Sequence, residues 1–378
     1  MKKLATLGLA LGLLLSMLAS CAPAKRSAPE TIGEPTDSMN LEYATEFSVD
    51  YYEGGYKRIS IVDGGDFLVI PEGMEMPEDM KEAGVTPLQQ PIENAYLAAS
   101  AAMAFFADLG QVDALALSGA EQDSWQIPAA VEAMEAGNLV FAGKYSEPDY
   151  ELMAEKGCTL AVESTMVDRV PEVKDKLREL GIAVLVDHSS KESHPLGRVE
   201  WIKLYAALFN EEQKAEAVFQ KQVDLANSLL GSKETDTTVA FFYLNSDGVP
   251  CAPQADDYLS QMIALAGGKY VFAGPNAPHR DLETTKMEME TFFATAKDAD
   301  CIIYNSTMYG ELSNMEELLA KSDLMKEMKA VKNGNVWCTR DSMFQSTTDL
   351  GTIMESFHQI FSGEAEGQDE VPYLFRVH

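Results

Sequence analysis

Between residues 112 and 186 short apolar runs alternate with stretches whose apolar positions recur every three or four residues. The runs at 112–117, 139–142, 159–162 and 182–186 read as strands, and the stretches at 127–136, 149–156 and 170–180 as helices. Buried strands separated by single helices imply a parallel sheet covered on both faces. Upstream, three alternating runs within 47–70 read as strands turned at Gly54-Gly55 and Gly64-Gly65, and an Ala- and Met-rich helix is expected at 94–108. From His194 the pattern becomes helical for nearly forty residues, with Trp201, Leu204, Tyr205, Leu208, Phe209, Ala215, Val218 and Phe219 at mixed three- and four-residue spacings after Pro195. Asn210 with Gln213 three residues on resembles an N-cap, which divides this stretch into a short helix ending near Phe209 and a long one at 211–230. The long helix spans roughly 30 Å.

A second alternating series follows. Strands are expected at 238–244, 301–304 and 335–338, and helices at 257–266, 286–295, 315–320, 324–330 and 349–361. The last helix is expected to pack back across the first series, with 362–370 polar and loose. The fold class is therefore α/β: two Rossmann-like lobes with parallel-rich sheets, joined by one long rigid interdomain helix, with a ligand cleft between the lobes. The expected division is a leader at 1–21, a flexible tether at 22–42, a first lobe at 43–195, linking helices at 196–231, a second lobe at 232–348 and a C-terminal helix and tail at 349–378. No short-period repeat is present, which excludes solenoids and propellers.

The leader changes the picture of where the chain works. Lys2 and Lys3 precede an apolar run at 4–18, too short for a comfortable membrane span, and Leu18-Ala19-Ser20-Cys21 follows at once. These four residues resemble the lipobox of bacterial lipoproteins, in which cleavage leaves the cysteine, here Cys21, as the acylated N-terminus. An extracytoplasmic protein anchored to the membrane by lipid is expected. The 60 acidic residues outnumber the 29 basic ones, giving a formal charge of -31 spread along the chain. Nucleic acid and anionic membrane surfaces are poor partners for such a field. An anionic ligand would need a local basic cluster to overcome it.

Catalytic signatures do not appear. There is no GxGxxG opening a helix, no phosphate loop of the GxxxxGK[ST] type, no HExxH and no GxSxG. No catalytic residue and no resident metal or cofactor is expected. His188 and His194 are read as surface loop residues, and Asn245-Ser246-Asp247-Gly248 as a strand-end turn. Cys158 and Cys301 lie in apolar runs and read as buried thiols. Cys251 and Cys338 are left open as a possible pair.

Three segments carry a resemblance: Leu196-Gly197-Arg198 leading into the linking helices, residues 262–269 (MIALAGGK), and residues 299–304 (ADCIIY). With the lipobox and the two lobes they resemble the substrate-binding lipoproteins of ABC importers that serve ferric siderophores, haem and cobalamin, over about residues 43–361. The resemblance implies partners in the permease's transmembrane subunits and a monomer that binds a metal chelate without transforming it. It also implies one permease-docking carboxylate per lobe: Glu151 within residues 148–152, and Glu290 within residues 286–292, with Glu288 open as the alternative. Charge-assisted contacts suit such reversible docking.

Ligands of open α/β sheets sit beyond the carboxyl ends of the strands. That rule nominates loops at 118–125, 144–146, 163–169 and 187–194 in the first lobe and 245–254, 305–309 and 339–345 in the second. A metal chelate or macrocycle is flat and ringed by polar atoms, so the residues selected are Trp125, Lys144, Tyr145, Tyr309, Arg340 and Phe344, with Arg280 from the loop after Gly267-Gly268. Met166, Met308 and Met343 fall in the same loops, where a thioether could touch a macrocycle. An iron chelate is the leading ligand, with a corrinoid or haem as the alternative. A manganese or zinc receptor lacks its usual histidines here. A surface hydrolase or an adhesin is the reading from another class.

Overall fold

Residues 47–50 and 57–61 alternate buried and outward side chains, while 67–70 are buried throughout. In the computed structural model, which describes residues 28–230, 235–273 and 284–378, they lie in β2 (Phe47–Tyr51), β3 (Lys57–Ile61) and β4 (Gly65–Ile70). These are not part of the parallel sheet of the first lobe. With β1 (Asp37–Ser38) and β5 (Thr86–Gln89) they make a separate five-stranded sheet, ordered β1-β2-β3-β4-β5 and antiparallel except between β4 and β5. The segment expected to be a tether thus carries a strand, because Asp37 and Ser38 pair with Tyr51 and Asp50. The leader and Cys21 lie outside the described residues.

The first lobe's sheet is wholly parallel. Its strands are β6 (Ala95–Leu97), β7 (Leu115–Ser118), β8 (Val140–Phe141), β11 (Leu160–Ser164) and β12 (Ala183–Asp187), ordered β12-β11-β6-β7-β8. A small hairpin of β9 (Gly143–Lys144) and β10 (Glu147–Pro148) follows β8. The helices are α1 (Met103–Leu109), α2 (Pro128–Glu135), α3 (Tyr150–Glu155) and α4 (Pro171–Glu179). The helix expected at 94–108 is therefore a strand followed by a shorter helix. Ala95, Tyr96 and Leu97 are all buried at the centre of the sheet, so no alternation marks them as a strand. One face of the sheet presents Tyr96, Leu117, Ala161, Val184 and Val186 to Met153 of α3 and to Val173 and Leu177 of α4.

The linking stretch contains α5 (Pro195–Glu200), α6 (Ile202–Phe209) and α7 (Glu212–Leu230). Ala215, Phe219, Val223, Ala226 and Leu229 form one buried stripe along α7. Asn210 is not the N-cap that its spacing to Gln213 suggested. With φ 60° it closes α6 in the left-handed conformation, which asparagine tolerates better than most residues.

The second lobe comprises β13 (Thr238–Leu244), β14 (Pro250–Pro253), α8 (Tyr258–Leu265), β15 (Lys269–Tyr270), β16 (Thr284–Lys286), α9 (Met289–Ala296), β17 (Cys301–Tyr304), α10 (Met315–Lys321), β18 (Val336–Thr339), α11 (Leu350–Ser362), β19 (Glu370–Val371) and β20 (Leu374–Arg376). Its sheet is mixed, ordered β16-β14-β13-β17-β18-β20-β19, with β15 also on β13; only the β13, β15, β17 and β18 pairings are parallel. Three expectations change here. Residues 284–286 are a strand, so the helix expected at 286–295 starts later; the helix expected at 324–330 is a 3-10 turn (Asp323–Glu327) and a short helix (Lys329–Lys332). The stretch expected to be loose, 362–370, ends in β19, which pairs antiparallel with β20, and β20 in turn pairs antiparallel with β18. Finally, α11 packs against α7 and second-lobe elements: Phe357 meets Phe241 of β13, and the Gly351 N–H donates to Gln222 Oε1 at 2.8 Å. A Cβ at Gly351 would stand 2.9 Å from the Gln222 carbonyl oxygen, so the two helices cross where only glycine fits.

Two buried carboxylates fasten the N-terminal segment to these helices. Glu200 accepts hydrogen bonds from the backbone N–H groups of Glu42, Tyr43 and Ala44 and from Lys203; Glu192 accepts from Thr45, Glu46 and the Trp201 indole. His188 and His194 are correspondingly not surface residues. His188 is buried, and half-buried His194 stacks on Tyr43 and accepts from the Leu196 N–H. Cys158, Cys251, Cys301 and Cys338 are all buried free thiols.

Candidate functional site

In both lobes the parallel strands end toward a common seam. There the loop after β7 meets the loop after β18: the Gln126 N–H donates to Gln345 Oε1 at 2.9 Å, while Gln345 Nε2 donates to the Ser124 carbonyl at 2.7 Å. Close by, Thr347 Oγ1 donates to the Ala101 carbonyl at 3.1 Å. These contacts join the lobes through the loops that the strand-end rule nominates, and they frame the candidate cleft.

On the first-lobe wall Trp125 is 4% exposed, and its indole N–H donates to Ser118 Oγ at 3.2 Å. It supports the loop rather than offering a face to solvent. Glu121, Gln122 and Asp123 stand around it and, with Val131, line a cavity of about 500 Å³. Lys144 is exposed and Tyr145 half-buried on the β9–β10 hairpin. Gly143, at φ 80°, lets that hairpin turn where a Cβ would lie 2.3 Å from the Glu147 carbonyl oxygen, and the Tyr96 hydroxyl donates to the Gly143 carbonyl at 2.9 Å.

The second-lobe wall is different. Met308 and Tyr309, after β17, are 60% and 44% exposed, and the Tyr309 ring lies 5.9 Å from that of Tyr243. Beneath them, the Ser306 N–H donates to Thr339 Oγ1 at 2.9 Å, which ties the ends of β17 and β18 together. Arg340 is already paired, with Glu311 at 2.9 Å and Glu370 at 2.7 Å, and its guanidinium lies 4.2 Å from the Phe375 ring centroid. Phe344 is half-buried against the core, Met343 is buried and Met166 half-buried. Arg280 lies outside the described residues. Asn245 makes the expected strand-end turn, its Oδ1 accepting from the Asp247 and Val249 N–H groups.

Glu163, at the carboxyl end of β11, was not selected from the sequence. It is fully buried, neither oxygen has a hydrogen-bond partner, and burial pushes its carboxyl up to about 8, so it is predominantly protonated at pH 7. The available signal was a glutamate inside an apolar strand run. Burial also holds the His188 imidazole below its usual range, assisted by Lys191. Among the described residues no group of three or more His, Cys, Asp or Glu is placed to hold a metal ion.

The docking candidates are exposed near helix starts. Glu151 lies in the first turn of α3, which Asp149 caps by accepting from the Leu152 N–H at 3.0 Å. Glu290 lies in the first turn of α9, and Glu288 occupies that helix's N-cap position. No helix among the described residues is long and apolar enough to cross a membrane.

The chain is similar to an uncharacterized lipoprotein of Methanocaldococcus jannaschii, 26% identical over 91% of this chain and 89% of that protein. Solved structures share its fold. The haem-binding protein HutB of Vibrio cholerae superposes with a TM-score of 0.57 at 18% identity, over 70% of this chain and 99% of that one. For the vitamin B12-binding protein BtuF of Vibrio cholerae the values are 0.53, 17%, 73% and 99%. For FhuD of Vibrio cholerae, a siderophore-binding protein solved with Fe3+-Desferal, they are 0.52, 15%, 71% and 99%. A family model described as periplasmic binding protein matches residues 99–342, which contain the first-lobe sheet from β7 onward, the linking helices and most of the second lobe. The chain belongs to the periplasmic binding protein family, the extracytoplasmic solute-binding proteins.

Proposed function

We propose that this chain is the substrate-binding lipoprotein of an ABC importer, held to the membrane by acylated Cys21, and that as a monomer it captures an iron chelate and delivers it to the permease. The observation that carries the reading is the seam itself: loops after strands of the two lobes meet across it, and one wall presents Tyr309 and Met308 to solvent. Exposed aromatic and thioether groups suit a large rigid guest. Among the selected residues, Tyr309, Lys144 and Tyr145 contact the ligand, and Trp125, Phe344 and Arg340 shape the walls. Glu151 and Glu290, with Glu288 as the alternative to the latter, present carboxylates to permease arginines. The long α7 limits the lobes to a small closure on binding.

A corrinoid or haem is the second reading. Exposed Met308 beside Tyr309 favours it, because a thioether can approach a macrocycle or its metal. Native mass spectrometry of the mature chain with a ferric trihydroxamate, a ferric tris-catecholate, haem and a corrinoid tests both. A one-to-one complex with an iron chelate is expected. A complex with haem or the corrinoid alone selects the second reading, and no complex at all overturns both.

A further inference from the structure

Arg198, in the segment 196–198 that opens the linking helices, takes no part in the contacts described above. It is 9% exposed, its Nε has no hydrogen-bond partner, and it makes no ion pair among the described residues. Burying an unpaired charge is costly, and a guanidinium, unlike a lysine ammonium, does not readily lose its proton to escape that cost. The carboxylates beside it in the chain are committed elsewhere: Glu192 accepts from residues 45 and 46 and the Trp201 indole, and Glu200 from residues 42–44 and Lys203. Asp349, on the turn Thr347–Asp349 that packs against α5, accepts from Gln222 and Tyr373. What the guanidinium does touch is one aromatic face, its carbon lying 3.8 Å from the Tyr258 ring centroid. A ring covering one face leaves the in-plane N–H edge for an oxyanion.

The stack joins the two lobes. α5 begins directly after the 187–194 loop of the first lobe, and Tyr258 opens α8 shortly after the 245–254 loop of the second. The turn carrying Thr347, whose hydroxyl bonds across the seam to Ala101, packs on the same helix. α5 is also held in place: a Cβ at Gly197 would stand 3.1 Å from the Tyr43 carbonyl oxygen and 3.2 Å from Glu192 Oε2, and His194 caps the helix by accepting from the Leu196 N–H. A cation fixed in this way needs little reorganisation to receive a charge. In a chain of formal charge -31, an anionic guest requires such a local cation. We infer that Arg198 is the anion-receiving residue of the cleft: its free edge takes a planar oxyanion carried by the guest, a carboxylate or the deprotonated oxygens of a catecholate. The chain then selects a chelate bearing such a group over its neutral counterpart. This rests on the chelate-binding reading above.

The test is calorimetric titration of the mature chain, at 0.15 M salt, with a ferric trihydroxamate whose terminal amine is acetylated (net charge 0) or succinylated (-1), and with a ferric tris-catecholate (-3). An oxyanion-bearing form is expected to bind about tenfold more tightly than the acetylated one. Preference for the succinylated form marks a carboxylate as the group received, and preference for the tris-catecholate marks phenolate oxygens. Arg198→Gln is expected to erase the preference and Arg198→Lys to keep part of it. Exposed Lys286, on β16 in register with Cys251, is another cation of the second lobe. Lys286→Gln is expected to leave the preference in place. Equal affinity for charged and neutral forms overturns the inference while the proposed function stands, and so does a preference that survives Arg198→Gln or disappears in Lys286→Gln. Should Arg198→Gln not fold, Tyr258→Leu, which uncovers the guanidinium, is expected to narrow the gap, and an unchanged gap overturns the inference. If only macrocycles bind, haem is compared with its uncharged bis-amide, and failure to prefer the dicarboxylate overturns it equally. If neither chelates nor macrocycles bind, the proposed function fails and takes the inference with it.

Discussion

The two walls of the seam use aromatic side chains in opposite ways. In the first lobe Trp125 is sunk into the loop and hydrogen-bonded to Ser118, above a parallel sheet that buries the unpaired carboxyl of Glu163. In the second lobe Tyr309 and Met308 face solvent, above strand ends already braced by Ser306 and Thr339. The difference separates the two walls: the first uses its aromatic group to hold a loop, while the second leaves its own exposed to solvent. Charge follows the same division, because Arg340 is neutralised in place by its own lobe.

The largest expected effect probes the buried side of the first wall. Glu163 keeps its proton when folded up to about pH 8 but loses it near 4.5 when unfolded. The folded state therefore binds more protons between these values, and its stability falls as pH rises from about 5 to 9, by on the order of 4 kcal/mol from this group. Denaturant titrations across that range should show the fall, and Glu163→Gln should flatten it. An unchanged slope in the variant would show that Glu163 is not the group responsible. Next, Trp125→Ala should lower stability by about 3 kcal/mol through the lost burial, measured by thermal or urea unfolding. A loss below 1 kcal/mol would remove the contrast between the walls.

Gln345→Ala deletes two of the three cross-seam hydrogen bonds described above and should cost about 1 to 2 kcal/mol. Small-angle scattering without ligand should show a slight opening, and an unchanged profile would assign the lobes' spacing to α7 and α11 alone. The smallest stability effect is expected at Tyr309→Ala, within about 0.5 kcal/mol. The same variant should weaken chelate binding about tenfold, and full retention of affinity would move the guest away from the second wall.

What could be read in the sequence was whatever depends on near neighbours. The stripe Ala215, Phe219, Val223 and Ala226 announces α7, and continuous apolar runs announce β11, β12 and β17. Pairings between distant residues left no local trace. Leu374 and Phe375 become strand only because β18 lies beside them, and Arg340 reads as an available cation until Glu370, thirty residues on, is seen to occupy it. Likewise nothing near Glu200 signals that it will receive the backbone of residues 42–44. The central strand β6 was lost for a further reason: three wholly buried residues before an alanine-rich helix carry the helix's own signature.

The fastening of the chain's beginning carries a mechanical consequence. The Ala28 N–H donates to Glu75 and the Ile32 N–H to Asp79, so the chain is secured to the connection between β4 and β5 seven residues after Cys21. With lipid at that cysteine, seven extended residues reach at most about 25 Å. On the anchoring proposed above, such a leash would hold the N-terminal sheet near the lipid headgroup layer, and the protein would meet its proposed permease by gliding and rolling over the bilayer rather than by swinging out on a long cord.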